Sequence, residues 1–581
     1  MQKLVTMTLA STLLLAAAGP ASAQGSKNAA DRQALFGELH LHTGYSTDAV
    51  ILGGTTVTPD EAYRYGRGEP VPYMGGTVQR RWPLDFMAVT DHAENIGLGS
   101  AMQDASSPAG KSDLGRRIRE RVGASGNELR ALFMSRDPIQ GVDARKIARD
   151  AWQHEIDAVK RHYVPGKFTT LLAYEWSATP DFQNLHRNVI FRGTEAPEPF
   201  SQADSERPED LWGYLEKNRK RGIEALAIPH NSNVSNGLMF DWVDSDGKPI
   251  SKAYAQLRLR NEPLVEISQT KGQSETHPLL SPNDEFAGFE IFDTLLGAQK
   301  VSKAPGSYVR DAYGRGLMLA VRTGANPYKF GVVGAGDLHN GLSDSDEDRY
   351  AGPNGSPNID REQAAQLLGA STGGAPISLL PTGSSSLTGL WADSNTREDV
   401  YDALRRKEAF ATTGTRIRVR LFGGWAYDAA TLSKADWVRA AYAGGVPMGG
   451  DLPARPNKAD APRFLVWAAK DPAAANLERV QIIKVWLDGE THREKIFDVA
   501  VAPLKPGTKV TPGVSEFAAS WSDPEFDATR PAVYYLRVLE VPTLRWSTLL
   551  AARFGLPAPQ GVPATIQERA WSSPIWYTPK K

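Results

Sequence analysis

Six of the ten histidines fall in five short motifs, several beside a carboxylate: Glu38-Leu39-His40-Leu41-His42, Thr90-Asp91-His92, Leu185-His186-Arg187, Ile228-Pro229-His230 and Asp337-Leu338-His339. The chain has no cysteine, so tight binding of a divalent metal can use only imidazole and carboxylate donors. Neutral imidazole suits zinc, iron, manganese or nickel, and Asp and Glu add the negative charge that offsets several adjacent cations. The chemistry this predicts is hydrolysis at a multinuclear metal site. A lone His-x-His pair is common by chance, whereas five such motifs are not. Clustered and buried without a cation, the same groups would carry a substantial desolvation cost.

Donors so far apart in sequence need a fold that gathers them. Short, mostly apolar runs lead into the motifs: Leu35-Phe36-Gly37 before His40, Leu84 to Val89 before Asp91 and His92, and Phe168 to Ala173 before Glu175. Glu224 to Ile228 precedes His230, and Phe330 to Gly334 precedes Asp337. Runs of this kind bounded by turn residues read as buried parallel strands, with the ligands at their C-terminal ends. Between them, Asp143 to His162 and Pro208 to Arg221 have helical spacing, the alternation expected of β/α units. In a closed barrel of these units every strand end meets at one rim. Residues i and i+2 of a strand share a face, so His40 with His42 can bind one ion while Asp337 and His339 flank its neighbours.

After His339 the segment Asn340 to Ser386 is rich in Gly, Ser, Pro and Asp and reads as loops with a short helix around Arg361 to Leu368. Thr396 to Glu408 again has helical spacing, and Ala409 to Gly414 reads as a last barrel strand. From about Arg416 apolar and polar residues alternate, in Arg416 to Leu421, Arg463 to Trp467, Val480 to Trp486 and Val533 to Leu539. Period two predicts an antiparallel, sandwich-like β domain. Pro557 to Pro563 is a Pro-rich connector, and Trp571 to Tyr577 a final docked strand.

At the other end, Lys3 precedes an apolar run, Leu4 to Ala18, that closes on Ala21-Ser22-Ala23. This is the pattern of a secretory signal cleaved after Ala23, and it predicts a periplasmic or secreted protein. No later stretch approaches the about 18 uninterrupted apolar residues of a transmembrane helix. The predicted plan is a signal over 1–23, a barrel with insertions over 24–415 and the β domain over 416–581, since 581 residues exceed the limit of about 250 to 300 for one core. Lys and Arg (66) balance Asp and Glu (67), so no global field would collect nucleic acid or anionic membrane. A small charged substrate held by local groups remains open.

The ordered set of a His-x-His pair, Asp48 six residues on, Thr-Asp-His, a strand-end Glu, two further histidines and an Asp-x-His resembles the PHP (polymerase and histidinol phosphatase) superfamily. The text around His186-Arg187-Asn188-Val189-Ile190-Phe191 and Arg569 to Tyr577 is similar to that superfamily's exported bacterial branch, catalogued as a domain of unknown function. The resemblance covers most of the chain beyond residue 23. It implies a distorted barrel of seven β/α units, compatible with the runs above once Leu264 to Ile267 and Phe289 to Phe292 are added. It also implies three metal sites: His40, His42, Glu175 and Asp337 at the first, Glu175, His186 and His230 at the second, and Asp48, His92 and His339 at the third. Asp48 stands where relatives often place a histidine. The implied cofactors are two or three divalent ions, Mn or Zn, with Fe also admitted.

Two or three cations would lower the pKa of a bound water, neutralise phosphoryl oxygens and align in-line attack, so no protein nucleophile is needed. Glu175 is then a bridging ligand, and Asp91 either orients an imidazole or carries a proton, with a turn or helix-cap role as the plain alternative. Candidate substrate contacts are Tyr45, Asn95, Arg187, Asn231 and Lys271, in or just beyond the strand-end loops. The loop Glu266 to Glu275 is a candidate wall. Arg545-Trp546 is expected to pack rather than to cover the pocket. His154, His162 and His492 read as solvated, and His277 as a loop residue. The predicted activity is an exported metal-dependent phosphodiesterase acting on small organic phosphate diesters by attack of metal-activated hydroxide. A phosphomonoesterase, or a metal-binding surface-recognition protein without catalysis, stands as the alternative.

Overall fold

The apolar runs that lead into the motifs form strands, because their residues are buried on both faces and each pairs with at least one neighbouring strand. In the computed structural model, which describes residues 29–580 except 299, 351, 370–378, 429, 457–459 and 509–510, these strands are Gln33–Glu38, Phe86–Ala88, Thr169–Leu171, Ala173–Trp176, Ala225–Pro229 and Gly331–Gly334. The expected signal segment 1–23 lies outside the described residues. Gln33–Glu38, Phe86–Ala88 and Thr169–Leu171 pair in parallel, as expected. The helix Ala144–His162 lies between the last two in sequence. Asp143 caps it by accepting from the Lys146 amide, and its buried residues Ala151, Trp152, Ile156 and Val159 fall on one face at helical spacing. Pro208–Arg219, opened by a proline, and Arg397–Arg406, capped by Thr396, follow the same logic.

Parallel pairing does not continue around the molecule. Ala173–Trp176 pairs antiparallel with Arg187–Phe191, which pairs antiparallel with Ala225–Pro229. Leu264–Gln269 and Gly331–Gly334 are again parallel, with a register shift at Val333 and Gly334. The fold is therefore mixed α/β with several sheets, and among the described residues hydrogen bonding does not close them into a barrel. The reversed strand matters for the site. Since Arg187 stands opposite both Trp176 and Pro229, the N-terminal end of Arg187–Phe191 meets the C-terminal ends of its neighbours. His186 thus reaches the common rim by a route that an all-parallel reading does not contain.

Phe289 to Phe292, expected as a strand, is turn and loop. Two of its side chains are taken up by the C-terminal part instead: the Arg569 guanidinium lies 3.5 Å from the Phe289 ring centroid, and Glu290 pairs with Arg545.

Beyond residue 416 the alternation does produce antiparallel sheet. Arg418–Gly424, Arg463–Ala469 and Glu516–Ser522 form one sheet, and Thr491–Val501, Leu477–Asp488, Ala532–Glu540 and Arg569–Ser572 lie in another. Their inward residues, among them Val419, Leu421, Phe464, Ile482, Tyr534 and Leu536, share one core. The last expected strand is two, Arg569–Ser572 and Ile575–Tyr577, separated at Pro574. Arg569–Ser572 also pairs with Ala409–Thr412, so a single ten-stranded sheet runs from the C-terminal strands through Leu387–Ala392 to Gln33–Glu38. Arg545 and Trp546 are buried, and the Trp546 indole donates to the Thr382 carbonyl at 2.7 Å, a packing role. No helix among the described residues is long and apolar enough to cross a membrane.

Candidate metal centre

Two extended segments lie side by side at the rim. Leu41 and Leu338 form a parallel bridge, with the His42 amide on the Leu338 carbonyl at 2.9 Å and the Asp337 amide on the His40 carbonyl at 2.7 Å. Period two then sends both leucines into the core and sets His40, His42, Asp337 and His339 on the opposite face. Asp337 adopts a left-handed backbone, φ 54°, a strain of about 1 to 3 kcal/mol that persists where surrounding structure imposes it. A second bridge joins His92 to Glu175 and brings that strand end beside the first pair.

Glu175 stands at the centre of the cluster. Its Oε1 is 2.6 Å from His186 Nδ1 and 3.0 Å from His230 Nε2. Its Oε2 is 3.0 Å from His42 Nε2, 3.4 Å from His40 Nε2 and 3.3 Å from His92 Nδ1, yet makes no hydrogen bond. Asp337 Oδ1 lies 3.4 Å from both His40 and His42 Nε2. Asp48 Oδ2 joins His92 Nε2 at 3.3 Å to His339 Nε2 at 3.1 Å. Nε2 of His40 and Nε2 of His42 face each other across 3.3 Å. Converging lone pairs and an orphaned carboxylate oxygen fit a cation among them. Donor atoms of His40, His42 and Asp337, of His40, Glu175 and His230, and of His42, His92 and His339 lie within 4.8 Å of one another. These buried groups can hold divalent metal ions. The compact groups overlap the implied sets without repeating them: His42 sits with His92 and His339, and His186 reaches the cluster through Glu175.

Most of the imidazoles are oriented through the other ring nitrogen, the outer support that metal-binding histidines require. His40 Nδ1 meets Glu266 at 3.0 Å, His42 Nδ1 meets Ser46 at 2.9 Å and His92 Nδ1 meets Ser177 at 2.5 Å. His186 Nε2 meets Thr179 at 2.8 Å, and His339 Nδ1 the Asp337 carbonyl at 3.1 Å. Spacing and composition mark none of these partners as an orienting group. Glu266 carried the one usable signal, a lone carboxylate inside the apolar run Leu264-Val265-Glu266-Ile267.

Burial opposes charge throughout the cluster. It drives His186 down to about 4 and lowers His230 and His339, leaving neutral imidazoles ready as ligands. Burial would lower His92 too, but Asp48 and Glu175 push it up to about 10, while Asp337 and Glu266 raise His40 well above its ordinary value. Burial likewise works against ionised Glu175, Asp48 and Asp337, yet facing imidazoles, with Lys271 at Asp337, hold all three well below the usual carboxylate range. His40 and His92 must therefore lose protons before they can bind metal. Adding Mn2+ or Zn2+ at pH 7 is expected to release about two protons per chain. The raised groups keep those protons until pH passes their folded values, so affinity should climb as pH rises from 6 to 9. Calorimetry in buffers of contrasting ionisation enthalpy measures the release, and metal uptake without it would contradict this charge assignment.

The remaining predicted residues divide. Lys271 reaches Asp337 Oδ2, which also accepts from Gln269 Nε2 at 2.6 Å. Asn231, in a left-handed backbone, accepts from the same Gln269 amide at 2.8 Å and keeps its own buried Nδ2 without a partner. Arg187 is turned away: it is buried against Glu262 at 2.9 Å and the Leu185 carbonyl, with its guanidinium over Trp176. Asn95 spends its amide on the carbonyls of Leu132 and Ser135, and the Tyr45 hydroxyl meets His154 Nδ1 at 2.7 Å. These three have structural partners instead of a place beside the donors. Asp91 does not touch the His92 ring. Its oxygens take the hydroxyls of Ser46 and Thr43, each at 2.6 Å, so it acts on His42 through Ser46. His162, expected in solvent, is buried on Asp60 at 2.7 Å, and His277 stays outside the cluster, beside Asp293.

A family model described as "Protein of unknown function (DUF3604)" matches residues 29–510 and 504–579. No curated protein and no solved structure matches the chain. Because that family match takes in nearly all of the described chain, from His40 through the donor cluster to the last strand, the protein belongs to the DUF3604 family.

Proposed function

We propose that this chain is an exported, metal-dependent phosphoesterase of PHP type that hydrolyses small organic phosphate diesters, its strands forming a distorted β/α barrel around the cluster. The observation that carries the reading is Glu175, one buried carboxylate that faces His186 and His230 with one oxygen and His40 and His42 with the other. His40, His42, Glu175 and Asp337 would hold one ion, Glu175, His186 and His230 a second, and Asp48, His92 and His339 a third. Divalent ions bound there would supply an activated water and neutralise phosphoryl oxygens.

The chain's own groups do the rest. Glu266, Ser46, Ser177 and Thr179 fix which nitrogen each ligand imidazole presents. The Lys271 ammonium beside Asp337 and the unpartnered Asn231 amide next to Gln269 both suit a phosphoryl oxygen. A monoester dianion calls for more cationic groups, and Arg187 is committed to Glu262, so a singly charged diester is the better match. The cluster is nearly closed, with Lys271 and His186 about one sixth exposed, which suits a small ester better than a polymer. Export rests on the segment ending at Ala23.

Full-length protein loaded with Mn2+ or Zn2+ should hydrolyse bis(nitrophenyl) phosphate faster than nitrophenyl phosphate, lose both activities on chelation and regain them when metal returns. A monoester preference would move the assignment to a phosphomonoesterase. Absence of turnover with Mn2+, Zn2+ and Fe2+ would leave a metal-binding recognition protein.

A further inference from the structure

Glu275 lies at the end of the hairpin that carries Lys271. The Leu264–Gln269 strand turns at Thr270 and Lys271 and returns as Gly272–Gln273, with Gly272 opposite Gln269. Gly272 has φ 83°, and a Cβ there would stand 2.6 Å from the Glu290 carbonyl oxygen, so this turn has no room for a side chain. At the metal side the hairpin delivers Lys271 and Gln269 to Asp337.

On the other side the Glu275 carboxylate accepts from Arg310 Nη2 at 2.5 Å, the Tyr535 hydroxyl at 2.7 Å, Trp571 Nε1 at 2.7 Å and Arg537 Nη1 at 3.2 Å. Tyr535 and Arg537 lie on Ala532–Glu540 and Trp571 on Arg569–Ser572, both C-terminal strands. Asp284 balances the second guanidinium, taking Arg537 Nη2 and Arg310 Nη2, each at 2.8 Å. All six side chains are buried. A network of this kind adds little net stability against an apolar replacement, but once satisfied it rigidifies the elements it joins.

We propose that Glu275 is a positioning residue: through it, the C-terminal β strands hold the Lys271 hairpin in register over Asp337. The inference rests on the metal-site reading of Asp337 and not on any particular substrate. Lys271 places a positive charge beside a ligand oxygen, so it weakens metal binding in the free protein and is held for an incoming anion. Loosening the brace lets that charge withdraw.

The test is a Co2+ titration of the full chain, followed by absorbance without substrate. Lys271→Ala should tighten Co2+ binding about tenfold, and Glu275→Gln about three- to fivefold in the same direction. The double variant should bind no tighter than Lys271→Ala alone, because the second change acts through the first. Additive effects, or a Glu275→Gln affinity equal to that of the unaltered chain, overturn the proposal, and so does failure of the unaltered chain to bind Co2+. If circular dichroism shows Glu275→Gln unfolded, Trp571→Phe, which removes one donor to Glu275, replaces it with the same expected direction. Lack of phosphate-ester turnover would sink the reaction assignment while leaving this coupling to be decided by Co2+ alone.

Discussion

Glu175→Ala is expected to abolish turnover, by at least about 10³-fold, and to cut bound metal by more than one ion per chain. The size follows from position. Each oxygen of this carboxylate faces a different set of imidazoles, so on the proposed reading its loss would remove a donor from two neighbouring ions at once and the negative charge that would let them approach. Glu175→Gln separates the two contributions, since the amide keeps the shape and loses the charge. It should retain at most one ion and remain inactive. Elemental analysis of protein purified without chelator, set beside nitrophenyl ester assays, measures both. Full metal content with unchanged turnover in either variant would remove Glu175 from the centre.

The second large effect is expected at the adjoining segments, with Asp337→Ala and His42→Ala each lowering turnover by about 10² to 10³-fold while leaving the C-terminal sheets folded. Asp337 contributes a donor to the His40 and His42 pair and also anchors Lys271 and Gln269, so its removal frees the hairpin as well. His42 is held by Ser46, which is held by Asp91. Ser46→Ala should therefore weaken metal binding by a smaller amount, about 10- to 100-fold, without deleting any donor. A graded series of this kind marks orientation, whereas equal losses in Ser46→Ala and His42→Ala would point to collapse of the whole loop. Circular dichroism and tryptophan fluorescence check the sheets, which carry Trp467, Trp486 and Trp521 away from the cluster.

Much of this centre can be read in one dimension. The five motifs mark six histidines and Asp337, the strand-end position marks Glu175, and the family resemblance adds Asp48; all nine, His40, His42, Asp48, His92, Glu175, His186, His230, Asp337 and His339, have a partner within the cluster. Apolar runs mark the strands that end at them, because burial on both faces imposes a composition visible without coordinates. Helix caps and period-two alternation are equally local. Strand direction is not. Arg187–Phe191 is an antiparallel strand absent from the runs read in the sequence, and nothing in a short apolar run states which way it will pair. Phe289 to Phe292 has the composition of a strand and becomes a loop, where Arg569 and Arg545, far along the chain, take Phe289 and Glu290.

By itself the sequence determined the histidine motifs that meet in the cluster, the exclusion of thiolate chemistry, the order of apolar run and motif, and the turn to antiparallel β character near residue 416. Only the tertiary structure decided which ring nitrogen faces inward, that Arg187 serves Glu262, that Asp91 works through Ser46, and that Glu275 ties the Lys271 hairpin to strands some 260 residues later. The physical reason is range. Backbone geometry repeats over two to four residues and leaves its period in the composition, whereas a hydrogen-bond partner is selected by whatever packing brings within about 3 Å.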